Sequence, residues 1–200
     1  MSHSIAVADT CFILDWASFS LRDLMRKVFS AVFLLEDVLA EVRSSPAVEW
    51  VADNLASGYF TLFTPSPDKR REAEQLVELV ATRPHMRRIE IPEALCLTLG
   101  KQKGYIVLTE NTGALMVADM IQEYSAVKVW RALELLKEIA ARKLAAIQTR
   151  SQLLHLFQRY EHETKHKFPR RDLEEAIREV IEKWRGSWRS GGGGWRRLGV

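Results

Sequence analysis

Short apolar runs alternate with longer amphipathic stretches along this chain, a pattern that predicts strands interleaved with helices. The strand candidates are Ser4-Ile-Ala-Val-Ala8, Ala31-Val-Phe-Leu-Leu35, Tyr59-Phe-Thr-Leu-Phe63, Tyr105-Ile-Val-Leu108 and Ala126-Val-Lys-Val129. Helical periodicity falls between them. Leu21, Leu24, Met25 and Val28 share one face of a helix over 21–28, with Ser20 placed to cap it. Further helices are expected over 36–43, 48–55 (after an interruption at Pro46), 68–82, 111–123 and 130–143. Another starts with Pro92 in its first turn and stops at Gly104. Strands alternating with helices argue for an α/β fold with a parallel sheet covered on both faces and right-handed crossovers.

The pattern changes after Leu144. Two more helices are expected over 151–164 and 172–184, separated by Lys165-His-Lys-Phe-Pro169. From Arg185 the chain turns to Ser190-Gly-Gly-Gly-Gly-Trp-Arg-Arg197, which cannot build a core. The reading is a main domain over 1–145, a helical extension over 146–185 and a mobile tail over 186–200. Trp184, Trp188 and Trp195 alternate with Arg185, Arg189, Arg196 and Arg197, a mixture able to hold a single strand by charge and stacking, or to dock on a partner.

Composition alters this picture little. At 200 residues and 47% hydrophobic, the chain can bury a sizeable core. A formal charge of +3 permits a nucleic-acid partner without demanding one. Cys11 and Cys96 form no CxxC pair and read as reduced thiols of a cytosolic protein, with a disulfide between them left open. No apolar run is long enough to span a bilayer, and Met1-Ser-His-Ser4 has no basic leader character, so no membrane role is expected.

The candidate chemistry lies in four acids placed at or after apolar runs: Asp9, Glu41, Glu93 and Glu110. Ligand sites of open α/β sheets lie at the carboxyl ends of the strands. Carboxylates are costly to gather without a cation, so acids converging there suggest a hard divalent metal with oxygen ligands. Each has a plainer reading. Asp9 suits a helix N-cap, Glu41 a solvated helix face one turn after Asp37, and Glu93 a first turn where the macrodipole favours acids. Glu110 competes with its neighbour Asn111. Thr10 and Thr109 could bond the acids or a phosphate, or simply cap. The basic loop Arg83-Pro-His-Met-Arg-Arg88 could hold RNA phosphates or be merely solvated. His155, His162 and His166 match no zinc spacing and read as a surface helix.

Ala8-Asp-Thr-Cys-Phe-Ile-Leu14, Val38-Leu-Ala-Glu-Val42, Ile91-Pro-Glu-Ala-Leu-Cys-Leu-Thr-Leu99 with Gly104, and Val107-Leu-Thr-Glu-Asn111 occur in an order that resembles PIN-domain nucleases, most closely their archaeal and VapC-toxin-like branch. The resemblance covers roughly residues 4 to 143. It implies a PIN-like three-layer α/β/α sandwich and endoribonuclease activity dependent on Mg²⁺ or Mn²⁺. It also implies that Asp9, Glu41, Glu93 and Glu110 bind the metal, with Thr10, Thr109 and Asn111 near the substrate. RNA is the implied partner; an antitoxin, another protein or a second copy is allowed. The last motif departs from the aspartate common in relatives, so Glu110 or Asn111 takes that place. The alternative is a PIN-like module that binds RNA or protein without cutting.

Overall fold

The computed structural model describes residues 4–190, the last four of them by backbone alone. Five strands form one all-parallel sheet in the order β3-β2-β1-β4-β5. They are β1 (Ser4–Ala8), β2 (Phe29–Leu35), β3 (Phe60–Phe63), β4 (Ile106–Leu108) and β5 (Val129–Trp130). The helices are α1 (Thr10–Ala17), α2 (Glu36–Glu41), α3 (Ser45–Ala56), α4 (Pro67–Ala81), α5 (Ile91–Lys103), α6 (Thr112–Met120), α7 (Ala132–Ala141), α8 (Arg150–Thr164) and α9 (Arg170–Ser190).

Strand pleating sends alternate residues into two separate cores. Ala6, Ala8, Val32 and Leu34 face one core, closed by residues of α1, α3, α7, α8 and α9. Val7, Leu35 and Val107 face the other, closed by α4, α5 and α6. The result is three layers with the sheet in the middle, as the alternation of runs predicts. Strands buried on both faces are read correctly because they are continuously apolar.

The chain builds outward from β1 through β2 to β3, then crosses back to lay β4 against the other side of β1. The reversal opens a crevice at the carboxyl ends of β1 and β4. Two backbone bonds fix it: Asp9 N donates to Leu108 O at 3.0 Å, and Thr109 N donates to Trp130 O at 3.0 Å. Both residues therefore stand immediately beyond their strands at the switch point.

Several boundaries differ from expectation. Residues 22–27 form a 3₁₀ helix, not an α-helix, and Ser20 does not cap it. Instead the Ser20 N–H and hydroxyl both donate to the Glu163 carboxylate, at 2.7 Å for the amide. Pro46 does not interrupt a helix but sits in the first turn of α3, where its missing N–H costs nothing. Asn111 caps α6, which ends at Met120 before a separate 3₁₀ turn at Gln122–Tyr124. The fifth strand is Val129–Trp130, not 126–129, and α7 starts at Ala132. α9 continues as helix through Ser190, overrunning the tail expected from 186. The remainder of that tail, with Trp195, Arg196 and Arg197, lies outside the described residues.

α8 and α9 complete the first core and do not build one of their own. Trp16 packs against Phe12, Phe19 and Tyr160 with ring centroids 5.5, 5.4 and 5.6 Å away, tying α1 to α8. Trp184 is buried, and its indole N–H donates to Ala140 O at 3.0 Å. It belongs to the core and is not free to stack on a nucleic acid.

Candidate functional site

Asp9 ends β1 and caps α1. One carboxylate oxygen accepts the Phe12 N–H at 2.9 Å, an arrangement that Asp supports at an N-cap. The plain capping role and a place at the strand end are thus both filled by one residue. Asp9 is 1% exposed. Its other oxygen accepts the Thr109 hydroxyl, and the Cys11 thiol lies 3.1 and 3.2 Å from the two oxygens. Burial raises the Asp9 pKa to about 6, against the lowering effect of those hydrogen bonds, and the negative charge of Glu93 adds to the rise. Burial and Asp9's charge hold the Cys11 thiol well above its ordinary range, so it serves as a donor here.

Glu93 projects from the first turn of α5. One oxygen accepts the Glu90 N–H at 3.0 Å, closing the helix start, while the other accepts the Asn111 side-chain amide at 3.1 Å. Asn111 is itself fixed because its side-chain oxygen accepts the Gly113 and Ala114 N–H groups at 2.7 and 3.3 Å. Thr109 accepts the Asn111 N–H at 3.0 Å. A continuous polar chain therefore runs Asp9–Thr109–Asn111–Glu93. Glu41, at the end of α2, is exposed and accepts the Thr10 hydroxyl at 2.6 Å, which places it on the rim next to Asp9.

Glu110 points elsewhere. Its carboxylate accepts the Ala132 N–H at 2.6 Å and faces His166 Nε2 at 3.4 Å. Successive side chains of an extended segment alternate in direction, so Asn111 and Glu110 cannot both face Glu93. The structure gives that direction to Asn111. Burial lifts the Glu110 pKa to about 7. His166 bridges Glu110 to Asp15, whose Oδ2 lies 3.3 Å from Nδ1. This histidine stands in the connection between α8 and α9, not on a solvated helix face, and sequence spacing gave no sign of it. Tertiary packing of α8 on α1 alone carries it there.

Among the described residues, no three His, Cys, Asp or Glu side chains gather closely enough to hold a metal ion by themselves. Two carboxylates nonetheless suit Mg²⁺, which commonly keeps several waters and takes one or two protein carboxylates together with substrate phosphates. Asp9 carries a buried charge, and among the described residues no Lys, Arg or His forms an ion pair with Asp9 or Glu93. Its raised proton affinity registers that uncompensated charge. Asp9 and Glu93 are the two carboxylates at the crevice that could hold a cation, while Glu110 is turned toward Ala132 and His166.

No helix of the described residues is long and apolar enough to cross a membrane. Compared with known proteins, the chain matches no family model and no curated sequence.

Proposed function

We propose that this chain is a divalent-metal-dependent endoribonuclease acting at the carboxyl ends of β1 and β4. The observation that carries the reading is Asp9: a buried carboxylate at the topological switch point, with its pKa raised to about 6, near a second acid and, among the described residues, without an ion pair to Lys, Arg or His. A fold tolerates such a charge when a ligand compensates it. A bound Mg²⁺ or Mn²⁺ would supply a nucleophilic water at neutral pH and relieve charge on the phosphate.

The residues have distinct tasks in this reading. Asp9 and Glu93 hold the cation. The Thr109 hydroxyl and the Asn111 amide each donate one hydrogen bond to those carboxylates and would hold them in orientation. Glu41, held by Thr10, lies on the rim, where it can accept a hydrogen bond from metal-bound water. The second reading, a module that binds RNA or protein without cutting, draws support from the absence, among the described residues, of a third clustered metal-ligating side chain and from Glu110's turn toward Ala132 and His166.

Metal binding separates the two. Mn²⁺ should raise the melting temperature of the unaltered chain, because a ligand of the native state stabilises by mass action, by about 2.7 kcal/mol at 100 times Kd. Asp9→Asn and Glu93→Gln should lose most of that gain. Equal gains in all three proteins would place the metal elsewhere and remove the basis for the nuclease reading.

A further inference from the structure

We infer that Arg87 and Arg88 form a fixed phosphate clamp for single-stranded RNA beside the acid site; this rests on the nuclease reading for its substrate class. The two arginines sit in the segment joining α4 to α5 and are both exposed. The residues on either side are buried: Met86 is 9% exposed and Ile89 4%, both within the second core. Met86 is held further by its N–H donating to Arg83 O at 3.0 Å. Two guanidinium groups are therefore carried on a strap pinned at both ends.

The strap is also pressed onto the site. A Cβ at Gly113 would lie 2.7 Å from Arg88 O, 2.8 Å from Arg87 O and 2.8 Å from Ile89 Cγ2. Only glycine allows that approach. Gly113 is the same residue whose N–H is bound by Asn111, and Asn111 donates to Glu93. Backbone contact thus connects Arg87 and Arg88 to Asn111 and Glu93 through one residue. Among the described residues neither arginine has an ion pair or a side-chain hydrogen bond, unlike Arg70, which pairs with Asp37 at 2.8 Å, or Arg131, which pairs with Glu134 at 3.2 Å.

Phosphates fit this arrangement. Arginine's planar fork suits phosphate oxygens, and a pinned backbone lowers the ordering cost of each contact. Adjacent charges at the edge of a metal site would hold the phosphates flanking the one attacked, while Asp9 and Glu93 repel the backbone from the crevice until a cation is present. Bases need not be read, so the clamp would act on sequence-independent affinity.

The test measures binding of a fluorescein-labelled single-stranded RNA against salt concentration, in Mn²⁺, on the Asp9→Asn background so that no cutting intervenes. Arg87→Ala/Arg88→Ala should weaken binding and reduce the log–log salt slope by about 1.4, since each lost contact on a single strand removes roughly 0.7. Arg87→Lys/Arg88→Lys should restore the slope. Lys27→Ala/Lys128→Ala removes equal charge from exposed positions just before β2 and β5, at the amino ends of these strands and so opposite the carboxyl-end crevice, and should leave the slope unchanged. An unchanged slope in the arginine double variant, or an equal fall in the lysine control, overturns the clamp. If the unaltered chain cuts RNA while the arginine variant binds normally, the clamp fails and the nuclease reading stands. A flattened slope without cutting by the unaltered chain sinks the nuclease and keeps the clamp.

Discussion

Asp9 is asked to do two things at once, capping α1 and holding charge at the strand end, and its ionisation exposes the conflict. An acid whose folded pKa lies above its ordinary value contributes its full stability only below that ordinary value. The stability is then lost as pH rises through the folded pKa. For Asp9 the window runs from 3.8 to about 6, and ionisation costs on the order of 3 kcal/mol of native stability. Without metal, the urea midpoint of the unaltered chain should therefore fall between pH 4 and 6. Asp9→Asn, which still caps, should lose that part of the pH dependence and be the more stable protein at pH 7. An identical pH profile in both would show that Asp9 is not strained by its charge. Glu110 continues the trend from 4.5 to about 7, so Glu110→Gln should flatten the upper part. The place of Asp9 is legible because a polar residue directly after a continuously apolar run marks a strand end, whereas Glu93 stands in the first turn of α5, where Pro92 and an acid signal a helix start. The apolar runs alone do not decide between Glu110 and Asn111, although Asn-Thr-Gly before a helical stretch is itself a capping signal that favours Asn111 as the cap.

Short elements around the crevice owe their placement to close backbone approaches that periodicity does not encode. α6 begins under the strap of Arg87, Arg88 and Ile89 because Gly113 has no side chain. Gly113→Ala must push the strap or the helix aside, at a cost of about 1–3 kcal/mol. The same shift should loosen the Asn111–Glu93 bond and weaken Mn²⁺ binding along with stability. Urea denaturation and a Mn²⁺ titration of this variant measure both, and retention of full stability would mean that the strap yields freely. Long, strongly patterned elements were readable: the stop of α5 at Gly104 follows from its left-handed backbone, φ +69. The two-residue β5 was misplaced because so short a strand carries no period, and its pairing with β4 is set by the sheet. The 3₁₀ helix at 22–27 shows the reverse case: helical spacing was present, but Ser20's groups were claimed by Glu163.

At the level of the molecule, the change in composition at Leu144 marks no boundary in the core. Leu153, Leu156, Phe157, Tyr160 and Trp184 bury themselves against α1 and α7, and losing a buried aromatic alone costs about 3–5 kcal/mol. Domains of this kind have only about 5–15 kcal/mol in all. A chain ending at Ala145 should therefore show no cooperative thermal transition by circular dichroism, whereas a sharp transition would establish residues 1–145 as an independent unit. The amphipathic pattern marks these helices but not their dependence on the core, because apolar residues on a short amphipathic helix do not reveal what they pack against. The same packing carries His166 to Glu110 and Asp15. The central claim is that Asp9 and Glu93 support metal-dependent cutting of RNA. It is tested most directly by incubating an end-labelled single-stranded RNA with the unaltered chain, Asp9→Asn and Glu93→Gln, each with Mn²⁺ and with a chelator. The account predicts cutting only by the unaltered chain with metal, with either substitution slowing it by on the order of 100-fold or more. Cutting that survives both substitutions, or the chelator, would contradict it, as would an unaltered chain that binds Mn²⁺ at these acids and leaves the RNA intact.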